Sequence, residues 1–432
     1  MHMGEIMGSR YLAITSIIRY NQIEVAHDRF IGNDESQMVS LENARRFRET
    51  VLRAYPGGSI TWALSYGALI SGQDNFRELR DYVKECHAAL GDDVTYFAGG
   101  FFANAYSPID KINRELDEAL TLLEQLMGPG YRPRSVIAGF LSSRNQQYLA
   151  KRHGIHVCQG TIWSQYSIDN QDGDGSVCYP YYPSREHFCK PAQGPEDFID
   201  CVCLDGWSCD FVCARENGAD WECNSRMGVG PIETIMTYGD DVGVAEQLAT
   251  TACHFDGGFA RNGFAYVPVI WELSLMEMHD RDCRALGDWL TRTHERWPDS
   301  CLRTMGDIGL MWRAANPDNS RFDYRFEMGG SGIGGSHRWL RVKWYMNSAF
   351  RLALLKDLRD GSVRVIDFTV YSDPAHEPES GTTRSWSLMG RINQKGVRPQ
   401  DRPRAIEELG EDALRLIESR GIDRAELAVF ER

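Results

Sequence analysis

Between residues 12 and 275 short apolar, β-branched runs alternate with longer stretches of helical spacing, and this alternation narrows the fold more than any other feature. The runs LAITSIIRY (12–20), SITWALSYGAL (59–69), DVTYFAGGFFA (93–103), SVIAGFLS (135–142), IHVCQGTIW (155–163), FIDCVCLDGW (198–207) and FAYVPVIWELSL (264–275) read as buried strands. Residues 41–55, 75–91, 108–128, 144–154 and 243–263 carry helical periodicity. Boundary signals agree: PGG stops the first helix, and Ser107-Pro108 supplies the cap and first-turn proline of the third. Seven strands alternating with helices predict an α/β fold with a mainly parallel sheet. At this length, closure into a (β/α)7-type, TIM-like barrel is the economical arrangement.

The pattern changes near 316. NPDNS (316–320) is a turn cluster, followed by short alternating strands in HRWLRVKWYM (337–346) and VRVIDFTVY (363–371) and a helix over 404–421. The expected organisation is therefore a barrel over 1–316, carrying any catalysis, and a smaller C-terminal α+β accessory domain over 317–432. The aromatic strand HRWLRVKWY offers an edge through which the chain could form a homo-oligomer.

A formal net charge of −14 argues against nucleic acid, whose phosphates need a cationic footprint. It also disfavours an anionic membrane surface. No run of 18 apolar residues spans a membrane, and MHMGEIMGSR lacks the apolar core of a secretory signal, so a cytoplasmic address is expected. The remaining partner is a small-molecule or oligosaccharide substrate.

In β/α barrels the chemistry sits on loops at the C-terminal ends of the strands. Four ends here are chemically furnished. The first leads to His27, Asp28, Asp34 and Glu35; the fifth runs out through Trp163; the sixth ends at Asp205-Gly206-Trp207; the seventh ends at Trp271-Glu272. Tryptophan covers the C–H face of a sugar ring and carboxylates supply acid and base, so Glu272 and Asp205 are the candidate catalytic pair. One of the two would be the acid, its pKa raised by burial beside tryptophan, and the other the base or nucleophile, with Asp172 or Asp174 as an alternative partner. Trp207, Trp271 and Trp163 are candidate substrate contacts. Imidazole beside carboxylate suits a divalent cation, zinc or manganese, making His27 and Asp28 the candidate ligands of an optional metal. His156 opens its strand and falls on the opposite face, while His254 and Asp256 fall in a helical stretch where packing is expected.

The loop DNQDGDGSVCYPYYPSREHFC (169–189) invites three readings. Asn170, Asp172, Asp174 and Gly175 imitate a calcium loop, but Tyr181 occupies the twelfth position, where an EF-hand needs glutamate. The cysteines from 178 to 213 supply half of a zinc pattern, at Cys209 and Cys213, and otherwise read as buried thiols. A substrate-facing lid fits best, with Asp172 and Asp174 for hydroxyls and Tyr181 for stacking. The glycines of GGSGIGGS (329–336) spell G-x-G-x-x-G without the strand–helix unit that a dinucleotide needs.

With these residues in place, the run GYRPRSVIAGFLSSRNQQYLAKRHGIHVCQG (130–160) resembles the glycoside hydrolase/deacetylase superfamily of (β/α)7 barrels. The whole chain is more similar still to an uncharacterised two-part bacterial family. The first resemblance implies chemistry on carbohydrates. Polysaccharide deacetylases carry an Asp-Asp pair and a two-histidine motif; here Asp28 follows His27, and GGFFANAYS contains no histidine. Carboxylate-based glycoside hydrolysis is therefore the leading expectation. A metal-dependent deacetylase or amidohydrolase, using His27 and Asp28, and a non-catalytic sugar-binding protein are the alternatives.

Overall fold

The computed structural model describes residues 8–25, 27–101, 103–161, 177–208, 210–212, 235, 238–274, 280–333, 336–378, 388 and 403–430. Strand β1 (Arg10–Ile18) is central, followed by a hairpin of β2 (Asn21–Val25) and β3 (Arg29–Asp34). One edge of β1 pairs in parallel with β9 (Ala265–Glu272), from Arg10↔Ala265 to Ile17↔Glu272. Its other edge is shared by β4 (Thr61–Leu64) and the short β10 (Ser300–Leu302). Beyond β4 lies β5 (Asp93–Tyr96). A second parallel sheet orders β6 (Val136–Ile137), β7 (Val157–Thr161) and β8 (Val202–Asp205). The bridge Phe97↔Ile137 joins the two sheets. All seven expected strands are present, in the order β9-β1-β4-β5-β6-β7-β8.

The period-two alternation of these strands divides the core. Leu12, Ile14 and Ile18 of β1 pack outward with Phe47 and Val51 of helix α1 (Leu41–Ala54). Tyr11, Ala13 and Ile17 enter an inner cluster. Ser40 caps α1 by accepting the Asn43 N–H, and α2 (Asp74–Leu90) ends on Gly91 in the left-handed conformation. Helices α3 (Ile109–Met127), α4 (Ser143–Tyr148), α5 (Asp240–Ala252) and α6 (Asp280–Arg296) follow.

The expected closed barrel is not found. Among the described residues no ladder joins β8 to β9; the links are a Ser208 N–H to Pro268 carbonyl bond of 3.1 Å and a Tyr266 hydroxyl to Asp205 carbonyl bond of 2.8 Å. Pro268 lacks the N–H that a ladder would use at this edge. A different segment takes the place beside β8: Tyr181 exchanges both main-chain hydrogen bonds with Cys203. Next to it, Tyr179 packs against Tyr266 of β9.

Below, helix α7 (Met305–Ala315) fills the inner cluster with Met305, Ile308, Met311 and Trp312. It approaches β7 so closely that a Cβ on Gly309 would lie 2.4 Å from a Val157 methyl. Beyond it, β11 (Asp323–Gly329), β12 (Leu340–Asn347), β13 (Phe350–Asp357) and β14 (Val363–Val370) form an antiparallel sheet. Tyr324, Phe326 and Met328 of β11 face the inner cluster. On the opposite side, Leu352, Leu354 and Phe368 pack with Ala413 and Ile417 of helix α8 (Glu411–Glu418). Among the described residues, no helix is long and apolar enough to cross a membrane.

Candidate active site

At the C-terminal ends of β1 and β9 three charged side chains converge. Register pairs Ile17 with Glu272, so Arg19, two residues on, projects from the same face of β1. Its Nε and Nη2 donate to the Glu35 carboxylate at 2.6 and 2.7 Å, while Nη2 and Nη1 donate to Glu272 at 2.8 and 3.3 Å. Glu35 is delivered by the turn after β3. Arg19 and Glu35 are buried, whereas the Glu272 side chain keeps 19% of its surface exposed. Burial alone would lower the Arg19 pKa; the fields of Glu272 and Glu35 outweigh it and hold the guanidinium charged. Glu272 is thus held as one partly exposed arm of an ion-pair triad.

A second acidic centre lies beyond β8. Asp210 follows Asp205-Gly206-Trp207, and Glu246 projects from α5; both are essentially without solvent exposure. The Glu246 carboxyl adjoins that of Asp210 and the Ser331 hydroxyl of the glycine-rich segment. Burial chiefly, then Asp210, pushes Glu246 up to about 9, against a smaller opposing effect of Ser331. Two adjacent buried carboxyls avoid double ionisation by retaining a proton. Gly330 gives the glycine run a structural reason, since a Cβ there would strike the His337 carbonyl at 2.0 Å.

The sequence candidates fall into distinct surroundings. Asp205 ends β8, is buried, and accepts the Trp207 N–H at 3.4 Å. Trp207 lies in the inner cluster and is 9% exposed. Trp271 points outward, fully buried, stacked on Phe47 of α1 with centroids 5.6 Å apart. The alternation that turns Glu272 inward turns its neighbour out. Tyr181 is also fully buried, and its hydroxyl donates to the Phe188 carbonyl at 2.7 Å. The described part of the tyrosine loop is thus a core wedge rather than an exposed stacking surface. Trp163, Asp172 and Asp174, with Cys209 and Cys213, lie outside the described residues.

His27 and Asp28 turn to different partners. The His27 ring stacks on Tyr66 at 3.9 Å, with Nε2 3.5 Å from Glu118, and its φ of 49° is a strained, left-handed conformation. Asp28 pairs with Lys111 at 2.5 Å. Among the described residues, no three metal-binding side chains are grouped to hold an ion. His156 bonds the Asp200 carbonyl at the start of β7. His254 lies between the Tyr179, Phe211 and Phe326 rings, with burial lowering its pKa to about 3. Asp256 instead accepts from Arg296 and from the Trp297 indole. Cys178, Cys189, Cys201 and Cys203 are buried, and burial pushes the Cys203 thiol up to about 12.

Sequence reasoning missed Arg19, Asp210 and Glu246. Arg19 sat at the end of an apolar run, where a lone cation gives no motif. Glu246 sat in a helix read as ordinary. Its signal was a polar spelling at positions the packing buries: Glu246, Gln247, Thr250 and Thr251 are all inaccessible.

Comparison with known families now adds to this geometry. The model of a domain of unknown function with a solved structure, DUF3863, matches residues 4–346. The chain belongs to the DUF3863 family. A second domain of unknown function, DUF3864, matches 351–422, so the chain has the two-part make-up expected from its resemblance. It is similar to a crystal structure of a "putative glycoside hydrolase/deacetylase" from Parabacteroides distasonis, at 44% identity and TM-score 0.91, over 96% of this chain and 98% of that one. That likeness agrees with the resemblance read from residues 130–160. Weaker likenesses are a "putative polysaccharide deacetylase" from Mycobacterium smegmatis (14% identity, 71% of this chain and 91% of that chain, TM-score 0.44) and a GH57 branching enzyme from Thermococcus kodakaraensis (10% identity, 70% of each chain, TM-score 0.41). A comparison with curated proteins found no match.

Proposed function

We propose that this protein is a carbohydrate-active hydrolase of the glycosidase type, working with carboxyl groups at the ends of β8 and β9. The observation that carries the reading is the division of the acidic groups into two ionisation environments. Glu272, against the Arg19 guanidinium, suits the role of base or nucleophile. Glu246, beside Asp210, retains a proton and suits the role of acid. Glycoside cleavage needs one carboxyl in each state, and opposed environments are how a single fold supplies both. Of the expected pair, Glu272 takes the base or nucleophile side, because an adjacent cation favours the ionised carboxylate. Asp205, at the end of β8, remains the candidate strand-end partner. The likeness to the glycoside hydrolase/deacetylase chain supports sugar as the substrate class.

The test is turnover of a panel of aryl glycosides by Glu272→Gln, which keeps shape and loses the ionisable group. A fall of about a thousandfold in kcat with an unchanged circular dichroism spectrum is expected. Near-normal turnover would exclude Glu272 from the chemistry. Product anomers followed by NMR would then show whether the pair retains or inverts configuration.

A further inference from the structure

A crevice of about 450 Å³ opens at the seam between the two parts of the chain, where the loop before β8, the turn before β11, the β12–β13 turn and the end of α8 meet. Three side chains build its walls. Asp197 accepts the Arg185 and Gln193 N–H groups at 2.9 and 3.0 Å and the Ser184 hydroxyl at 2.7 Å, which fixes the Gly194-Pro195 corner. The Asn319 amide accepts the Tyr182 N–H and donates to the Tyr182 and Ala192 carbonyls, so the 317–320 turn is tied to the tyrosine loop. Gln193 donates to the Pro191 and Ser348 carbonyls at 2.7 and 2.8 Å and ties the same loop to the antiparallel sheet. Phe198 precedes β8, so the crevice lies toward the side where that strand begins, away from Glu272 at the end of β9.

The lining is apolar on one side and polar at the rim. Ala192, Pro195, Phe198 and Pro317 give the apolar surface, and Phe198 is held against Tyr182 with ring centroids 4.7 Å apart. Asp318, Ser320 and Arg420 supply polar groups, and all three are exposed. Hydrogen bonds from the Ser320 side chain and N–H hold the Asp318 carboxyl below its usual pKa, so it lines the crevice as an anion. Asp318 and Arg420 face one concavity without pairing with each other. By contrast Arg415 and Arg424, from the same C-terminal segment, close onto Asp412, Glu411 and Glu418. An acceptor and a donor set apart beside an apolar wall suit a ligand of many hydroxyls. Each hydroxyl both donates and accepts, and the C–H face of a sugar ring covers aromatic or proline surface. Neither sign dominates the rim, so a simple ion gains little there. The walls are fixed before any ligand arrives, which lowers the ordering cost of binding, and the volume falls within the roughly 300–1,000 Å³ of small-molecule sites.

We propose that this crevice is a second sugar-binding site, holding a neutral oligosaccharide across the junction of the DUF3863 and DUF3864 parts. It rests on the substrate class of the glycosidase reading but on none of its catalytic residues. Calorimetric titration of the full-length protein with thio-linked, uncleavable maltotriose, cellotriose and di-N-acetylchitobiose tests it. Saturable binding of at least one sugar is expected, weakened about five- to tenfold in Asp318→Asn and in Arg420→Gln. Hydrogen exchange with that sugar bound should show protection in peptides covering 192–198 and 317–320. No saturable binding by any of the three up to ~20 mM, or binding unchanged in an Asp318→Asn/Arg420→Gln double variant, overturns the proposal. Alanine, a zwitterion that the same acid and cation could hold, is titrated in parallel; tighter binding of it than of every sugar also overturns the assignment. The double variant should leave aryl glycoside turnover unchanged and Glu272→Gln should leave crevice binding intact, so failure of one proposal is separable from failure of the other.

Discussion

Two acidic centres of this protein handle the same electrostatic problem in opposite ways. At the ends of β1 and β9, two carboxylates are brought together and an arginine between them pairs with both. Beyond β8, Asp210 and Glu246 are brought together and a retained proton does the neutralising. The first arrangement fixes an anion; the second stores an acid. If the proposed function holds, the two environments would separate acid from base using carboxyl groups alone.

Removing the cation should have the largest effect on stability. Arg19→Leu leaves Glu35 and Glu272 facing each other without the shared cation, with an expected loss of about 3–5 kcal/mol by chemical denaturation. Adding Glu35→Gln should recover part of that loss, since the two changes act on one network. Full additivity would mean the triad is not a unit.

The second centre should respond in the other direction. A carboxyl whose folded pKa is raised contributes stability that is full below its unfolded value and is lost as pH rises through the folded one. Glu246, at about 9, therefore costs stability progressively above about pH 4.5. Glu246→Gln should stabilise by on the order of 2 kcal/mol at pH 8 and by little at pH 5. Turnover should fall about a hundredfold, and the alkaline limb near pH 9 should disappear. Stabilisation equal at both pH values would remove the shared proton from the comparison.

The smallest effect is expected at the seam. Tyr181→Phe deletes only the bond to the Phe188 carbonyl, costing about 1 kcal/mol with turnover unchanged. A large change in KM at that position would return the tyrosine run to the substrate.

Much of the fold was legible because its strands and helices obey local rules. Each of the seven strand runs contains an observed strand, and Ser40 and Gly91 mark helix boundaries as their chemistry requires. Glu272 and Glu35 were legible as strand-end and loop carboxylates. The closure of the sheet was not legible. Pro268 reads as one residue in an apolar run, and only the arrangement around it shows that its missing N–H faces β8. The tyrosines were misplaced for a related reason: an aromatic ring beside glycines and aspartates spells a lid or a wedge equally well until its neighbours are known.

By itself the sequence determined the order of strands and helices and the excess of negative charge. These follow from periodicity, capping and composition, which act within a few residues. Only the tertiary structure decided which carboxyls meet a cation and which meet each other. It also decided that Trp271 turns outward while Glu272 turns in, and that Tyr181 occupies the edge of β8. Charge environment is set by groups far apart in the chain: 253 positions separate Arg19 from Glu272. No local pattern records that pairing, because it is created by parallel strands brought together from distant parts of the DUF3863 domain.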